Sequence, residues 1–508
     1  MRSAERTRPL NQNGRLGITP LAQYPKQVLG NQHLTVNRVR FLWPSVTAGV
    51  ALIVYLLTVA PDLTWANYGG DGGELITASV TLGIPHPPGY PLYLLVGKLA
   101  SLVPIGSVAY RYNLLSAVAL ALAAGFLSAT VSNILSAKQG ASERFSRAVP
   151  VATGLVFAFI PLVWGQAIIA EVYTLNLFLL SLLLWMLTRD IDRKSAIIAG
   201  LIFGLSLTTH LTSALILPLS LYLLPRRYWY RFALGATIGI LPFLVFPILA
   251  NTSSPVAWGR SDTLSGWLWF ITARIYRPNV LSLPQGDWWT RFTEWGSLFF
   301  KQFAWFAIPL ITLGYSSTRV KSRRLIYGLI ATIVLYAVYS FGYRANDATV
   351  FFLPGILLLA ITLGFGMKSL GIASLLLPAL LVALNFGGQY LGDDFTVRTG
   401  AEWVFRTLPS DAIVITPGDQ TASTLLYFQQ VEGTRSDAVV VDDIMFQFDW
   451  YRERLKTRYP SLLNLERDDV PGFIESNLPY RSVCHVALVS PVSVECEQSP
   501  GIVLDIDF

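Results

Sequence analysis

Apolar runs of about 18 to 22 residues recur along this chain, each long enough to cross a hydrocarbon core of about 30 Å. In lipid a backbone must satisfy its own hydrogen bonds, so such runs become helices and the chain becomes a bundle of them. The first run is Leu42 to Ala60, and further runs lie at about 112–135, 149–167, 170–188, 195–209, 211–224, 232–250, 297–315, 325–342, 349–366 and 369–387. The expectation is a polytopic α-helical membrane protein with about eleven spans. Of the 508 residues 53% are hydrophobic and 14% charged, against roughly 25% charged in an average soluble domain, which excludes disorder and an ordinary soluble enzyme.

The net charge of +7 conceals an asymmetry. From residue 389 onward there are about 9 Lys and Arg against about 19 Asp and Glu, so the first 388 residues carry about +17. The cations gather in short loops on one side: Arg2, Arg6, Arg8, Arg15, Lys26, Arg38 and Arg40 before the first run, then groups such as Lys138, Arg193, Arg226, Arg319 and Lys368. That bias orients these loops toward the cytoplasm, reads the first run as a signal anchor, and argues against nucleic acid as a partner. An odd number of spans puts the acidic tail on the opposite face, unless the two short runs flanking His210 form one span.

Three parts follow: a cytoplasmic basic segment 1–41, a transmembrane part 42–388 with outer loops 61–111 and 251–296, and a small extracytoplasmic α/β domain 389–508. In the tail, Ala412 to Thr416, Thr421 to Gln430 and Ala438 to Val441 make a βαβ pattern, and Val486 to Ser490 suggests another strand. The 251–296 loop holds six Trp residues, which suits a segment on the headgroup layer, and Leu92 to Val103 suits an interfacial helix. Cys484 and Cys496 are either a disulfide or two free thiols.

The acids of the membrane part collect on the outer face, where a carboxylate is costly unless it has a partner or a task. Asp71 and Glu74, three apart in Asp71-Gly72-Gly73-Glu74, either face one cleft as base and orienting group or simply cap a helix. His86 stands before two prolines and is presented from a stiff turn; Glu171 and His210 lie between spans. Outer cations are few: Lys98, Arg111, Arg260, Arg274, Arg277, Arg291, Lys301 and Arg344. Arg344, confined beside Asp347 in a tight loop, is the first choice to bind an anionic headgroup.

Asp71-Gly72-Gly73-Glu74, His86-Pro87-Pro88-Gly89-Tyr90-Pro91-Leu92, Glu171-Val172-Tyr173 and Gly204-Leu205 leading to His210 resemble the protein O-mannosyltransferase-like transmembrane proteins. Gly418-Asp419-Gln420-Thr421 with Tyr427, Glu432 and Trp450-Tyr451 resembles the same family after its last span. The resemblance implies the GT-C glycosyltransferase fold, a polyprenyl-phosphate sugar donor, and an acid of the first outer loop as base. Asp71 and Glu74 are carried over as catalytic, with Asp71 as the base. His86, Tyr90, Glu171, Tyr173, His210 and Asp419 are carried over as substrate-binding, and Arg344 and Asp347 are added to them from their place in the outer loop. The implied partners are the bilayer, the lipid-linked donor and a protein or glycan acceptor; no cofactor is assigned, and metal dependence stays open.

The rival reading is a transporter or flippase in which Asp71, Glu171 and His210 relay protons; a third is an assembly protein without chemistry. The outer parts of the membrane region hold a single Asn-x-Ser/Thr sequon, Asn251-Thr252-Ser253, which favours a bacterial plasma membrane with the site toward the periplasm over an endoplasmic-reticulum membrane.

Overall fold

The structure is a computed structural model in which residues 27–136, 143–303, 305–317, 320–488 and 491–497 are described. The basic segment before residue 27 and the loop cations Lys138 and Arg319 lie outside the described residues. Residues 27–42 are helical and belong to a unit of their own; the chain from Trp43 onward is a second compact unit.

The protein is an integral membrane protein. Among the described residues, Phe41–Thr58, Val108–Leu135, Arg226–Leu249, Leu325–Gly342, Ala348–Met367 and Gly371–Gln389 are each long and apolar enough to span. Two further runs are broken: Arg147–Phe159 meets Pro161–Ala167 at 73°, and Gln285–Gln302 meets Ala307–Leu313 at 78°. Pro161 sits at the first helical position after Ile160, where its missing N–H costs nothing, so the chain restarts there in a new direction. Tyr173–Leu187, Arg193–Leu207 and Leu211–Leu223 are shorter than a straight crossing needs. These six helices, two bent pairs and three shorter helices coincide with the eleven apolar runs of the sequence, and by length and apolarity alone six of them, or eight with the bent pairs, are candidate spans among the described residues. Hydropathy counts apolar residues and is blind to where their helix bends.

Helix pairs inside the bundle approach closely through small residues. Gly200 and Gly204 of the Arg193–Leu207 helix face Gly235 and Gly239 of the Trp229–Gly239 helix. A Cβ at Gly235 would stand 2.0 Å from the Ile197 carbonyl oxygen, and one at Gly200 would stand 1.9 Å from that of Phe232. This is the small-xxx-small arrangement by which apolar helices gain contact in lipid.

The tail contains a four-stranded sheet of order β2-β1-β3-β4: β1 Ile413–Thr416, β2 Val439–Asp442, β3 Val483–Ala487 and β4 Ser493–Glu497. β1 pairs in parallel with β2 and β3, and β4 is antiparallel to β3. The Asp419–Gln430 helix follows β1 and returns the chain toward β2, as the βαβ pattern requires. Cys484 and Cys496, opposite each other in the β3–β4 pair, form a disulfide.

The first outer loop and the tail share one apolar core, in which Leu75, Ile76 and Tyr93 pack with Leu425, Tyr427 and Phe428. The Leu391 N–H donates to the Thr58 carbonyl, so the first and last spans end at the same face. Arg398 joins Asp62 of the loop to Glu432 of the tail, with Asp62 only 4% exposed at its side chain. These contacts fix the tail over the loop. Trp258, expected among the headgroups, is buried beneath this assembly, while Trp288 and Trp289 are exposed.

Replacing Gly235 by Val should cost about 1–3 kcal/mol through overpacking, seen as a lower melting temperature of the purified protein in lipid nanodiscs. Gly286→Ala, where an added Cβ meets nothing within 4 Å, should leave it unchanged.

Candidate active site

The first outer loop begins with a tight turn, Ala66–Asp71, in which Asn67 and Tyr68 adopt left-handed backbone angles. The Gln166 amide donates to the Asn67 carbonyl at 2.7 Å and ties the turn to the Pro161–Ala167 helix. The chain then enters the Gly72–Thr81 helix with Asp71 at its N-cap. The Asp71 carboxylate makes no capping hydrogen bond, so the plain helix-capping account fails for it. The two glycines between the acids serve packing: a Cβ at Gly73 would stand 2.9 Å from the Ser423 carbonyl oxygen. This close approach seats the Asp419–Gln430 helix on the loop and brings Asp419 toward Asp71.

Glu74 points the other way, into protein. It accepts from the Trp258 indole at 2.5 Å, from the His86 backbone N–H at 3.1 Å and from His86 Nδ1–H at 2.5 Å. His86 Nε2–H donates to the Tyr90 hydroxyl at 2.8 Å and lies 3.7 Å from Asp71 Oδ2. His86 and Glu74 keep 11% and 9% of their side-chain surface exposed, whereas Asp71 keeps 48%. Burial opposes a charge on His86, but Glu74 and Asp71 overcome it and lift the imidazole to about 10. His86 is therefore a fixed cation at neutral pH. Although its carboxylate opens on the cavity, the dense protein around it raises Asp71 to about 6, first by desolvation, against the pull of His86 and with the help of Glu74, Asp419 and Asp347. Asp419 is raised as well, by burial and then by Glu74.

Asp71 opens into a cavity of about 290 Å³. Of the residues expected from sequence, His86, Tyr90, Tyr173, His210, Asp347 and Asp419 line it with Asp71. The His210 ring stacks on Tyr90 with centroids 6.2 Å apart and packs on Tyr173 at 5.2 Å, forming an aromatic floor with Phe351. Its Nδ1 is held by the Thr212 hydroxyl at 2.6 Å.

Glu74, Glu171 and Arg344 do not line this cavity. Glu74 lies behind His86, and Glu171, 2% exposed, takes its one described side-chain hydrogen bond from the Val172 N–H next to it. The Arg344 side chain is exposed, and its backbone N–H donates to the Asn279 carbonyl. The arginine that lines the cavity, among the described residues, is Arg277, on the short Arg274–Asn279 helix. Most other outer cations are committed elsewhere: Lys98 to the Val80 carbonyl, Arg111 to the turn at 101–106, Arg260 to Glu453 and Arg291 to Glu294.

Sequence reasoning also missed Trp258, Tyr276 and Asn279 of the Trp-rich loop, and Tyr339 and Tyr343 at the end of a span. The i, i+4 spacing of the last two, at the mouth of an apolar helix, is a signal that could have found them. Beside the cavity an apolar groove of about 430 Å³ opens between Leu281, Leu283 and Trp288 on one side and Val338 and Phe341 on the other. Val280 and Tyr339, sequence neighbours of groove residues, line the cavity itself.

Residues 71–233 match the profile of the protein O-mannosyl-transferase TMEM260 N-terminal domain, and residues 397–462 match TMEM260-associated domain 2. The chain is 30% identical to mouse protein O-mannosyl-transferase TMEM260 over 478 residues, covering 82% of this chain and 65% of the mouse protein. It is 22% identical to the Dictyostelium discoideum protein of that name, covering 79% and 57%. The chain thus spans somewhat under two thirds of the length of these relatives. Among solved structures, ArnT from Cupriavidus metallidurans bound to undecaprenyl phosphate superposes with a TM-score of 0.53 at 13% identity, covering 87% of this chain and 93% of that one. The apo form of ArnT gives 0.52, covering 80% and 91%. The chain has the GT-C fold seen in ArnT and is similar in sequence to the protein O-mannosyl-transferase TMEM260 proteins.

The geometry predicts that the Asp71 carboxyl titrates near pH 6. His86→Gln removes the cation that holds it down and should raise it by about 1 unit or more, read by infrared difference titration against Asp71→Asn. An unchanged titration would show that His86 exerts no field at Asp71.

Proposed function

We propose that this protein O-mannosyltransferase-like chain is a membrane glycosyltransferase. It moves a hexose, mannose by the names of its relatives, from a polyprenyl-phosphate-linked donor to a Ser or Thr hydroxyl of a protein acceptor. The observation that carries the reading is Asp71: a carboxylate free of any capping duty, opening into a cavity whose lining residues Val280 and Tyr339 are chain neighbours of Leu281 and Val338 in an apolar groove. A base that is ionised at neutral pH and still close to its titration point suits proton abstraction.

The donor's hydrocarbon tail lies in the groove beside Val338 and Phe341, and its phosphate meets Arg277 at the cavity, where guanidinium geometry favours phosphate oxygens. The acceptor hydroxyl oxygen attacks the anomeric carbon of the sugar while Asp71 takes the hydroxyl proton. The bond between that carbon and the phosphate oxygen breaks, its electron pair leaves with the polyprenyl phosphate, and the anomeric configuration inverts. His86, charged and fixed by Glu74 and Tyr90, holds Asp71 ionised and adds positive potential near the leaving phosphate. Tyr90, Tyr173 and His210 offer aromatic faces to the sugar.

The tail's disulfide supports an oxidising compartment on the side of the site. The periplasm of a bacterium is the reading the loops favour, and the lumen of the endoplasmic reticulum is the one favoured by relatives from mouse and Dictyostelium.

Three outcomes test this in nanodiscs with a synthetic polyprenyl-phosphate mannose and a Thr-containing protein acceptor. Asp71→Asn should lower turnover about 10²- to 10⁴-fold while donor binding persists. Wild-type turnover should climb as pH rises through about 6 and fall away below it, because the ionised form of Asp71 is the active one. Arg277→Ala should raise the KM for the donor, whereas Arg344→Ala should not; the reverse pattern would return the phosphate to Arg344.

A further inference from the structure

A second cavity, of about 430 Å³, lies between the Asn251–Asp262 segment of the Trp-rich loop and the Asp449–Arg458 helix of the tail. It is set apart from the donor side of the catalytic cavity yet connected to its far wall. Trp450 and Tyr451 line this cleft and also a narrow neck of about 50 Å³, which reaches Glu74, Trp258 and Asp419. Asp419 in turn lines the catalytic cavity with Asp71. The cleft therefore leads from the outer surface of the tail to the residue beside the base.

Its charge is distinctive. Three arginines face it, against two carboxylates, Asp262 and Glu453. Arg260 is paired with Glu453 at 2.6 Å, and Arg458 donates to the Ser253 carbonyl and to the Gln430 side chain. Arg454 differs. It is partly buried, its one described hydrogen bond runs 3.5 Å to the Ala250 carbonyl, and among the described residues no carboxylate stands within 4.0 Å of it. Burial pulls its pKa below the ordinary guanidinium value, with Asp262 acting against that from a distance. A guanidinium offers five N–H donors, and in a partly desolvated cleft those the protein leaves open are available to an entering anion. Beside it the Trp450 and Tyr451 rings give flat apolar walls of the kind that hold an extended chain.

We propose that this cleft seats an extended stretch of acceptor polypeptide, with an acidic side chain of that stretch pairing with Arg454, so that a carboxylate flanking the acceptor hydroxyl selects the substrate. The inference rests on the transferase reading above and adds what that reading leaves open: where the acceptor enters and which chemistry it must carry. Arg454 is a binding residue here and takes no part in the transfer step.

The test uses the full chain in nanodiscs and rhodamine-labelled octapeptides that hold one Thr among alanines, with Asp, Ala or Lys placed in turn at each flanking position. Binding is followed by fluorescence anisotropy without donor. Wild type should bind at least one Asp peptide about tenfold more tightly than its Lys counterpart. Arg454→Ala should erase that preference at an unchanged melting temperature, Arg454→Lys should retain part of it, and Asp71→Asn should keep it whole. A flat preference in wild type, absence of peptide binding, or a preference that survives Arg454→Ala would each overturn the proposal. If transfer proves Asp71-dependent while the preference is flat, the cleft assignment fails alone. If the preference tracks Arg454 while no transfer is found, the transferase reading fails and the cleft stands as a peptide site.

Discussion

The buried pair of Glu74 and His86 is the constraint from which the rest of the site follows. A carboxylate with 9% of its side chain exposed keeps its charge only if its lone pairs are met, and here an indole, a backbone amide and an imidazolium meet them. Breaking such a pair typically costs about 3–5 kcal/mol because the remaining charge is stranded. The pair draws together three stretches distant in sequence: the helix after Asp71, the His-Pro-Pro turn and the Trp-rich loop. It also makes His86 a standing cation, so Asp71, 3.7 Å away, stays ionised although Glu74, Asp419 and Asp347 press it toward its neutral form. One acid is spent to hold a histidine, and the histidine holds the other acid ready.

A second constraint is close approach. Gly73 admits the Ser423 carbonyl, Gly200 and Gly235 admit the backbones of neighbouring helices, and Gly89, at a φ of +87°, turns the chain against the Phe246 and Phe270 rings. Without the contact at Gly73 the tail helix could not lie on the first loop, and Asp419 would not reach the cavity wall. The Arg398 bridge between Asp62 and Glu432 locks the same surface from its other edge. The tail is thus a wall of the site, built on the core that includes Leu75 and Tyr427. The catalytic-site cavity, through Asp419, and the arginine-lined cleft, through Trp450, Tyr451 and Arg454, both open against that wall.

The sequence by itself determined what depends on local composition and spacing. Apolar run length marked the helices of the bundle, and turn residues bounded the βαβ unit of the tail, because each of these is a property of neighbouring residues. The first-loop motif marked Asp71, His86 and Tyr90 with the fold they belong to. Tertiary structure decided the rest. Asp71 and Glu74 stand three positions apart at the start of one helix, and it is the packing of Trp258 and His86 on Glu74 that separates an open carboxylate from a committed one. Arg344 and Arg277 are alike as outer arginines near a span, but the Arg344 side chain is exposed and outside the cavity lining, whereas Arg277 lines the cavity. Bends such as the 73° break after Phe159 escaped hydropathy, which sums along the chain and carries no direction. Local chemistry is written residue by residue, whereas the site is a meeting of loops 61–111, 251–296 and 343–347 with the tail, and such a meeting exists only once the long-range packing has been made.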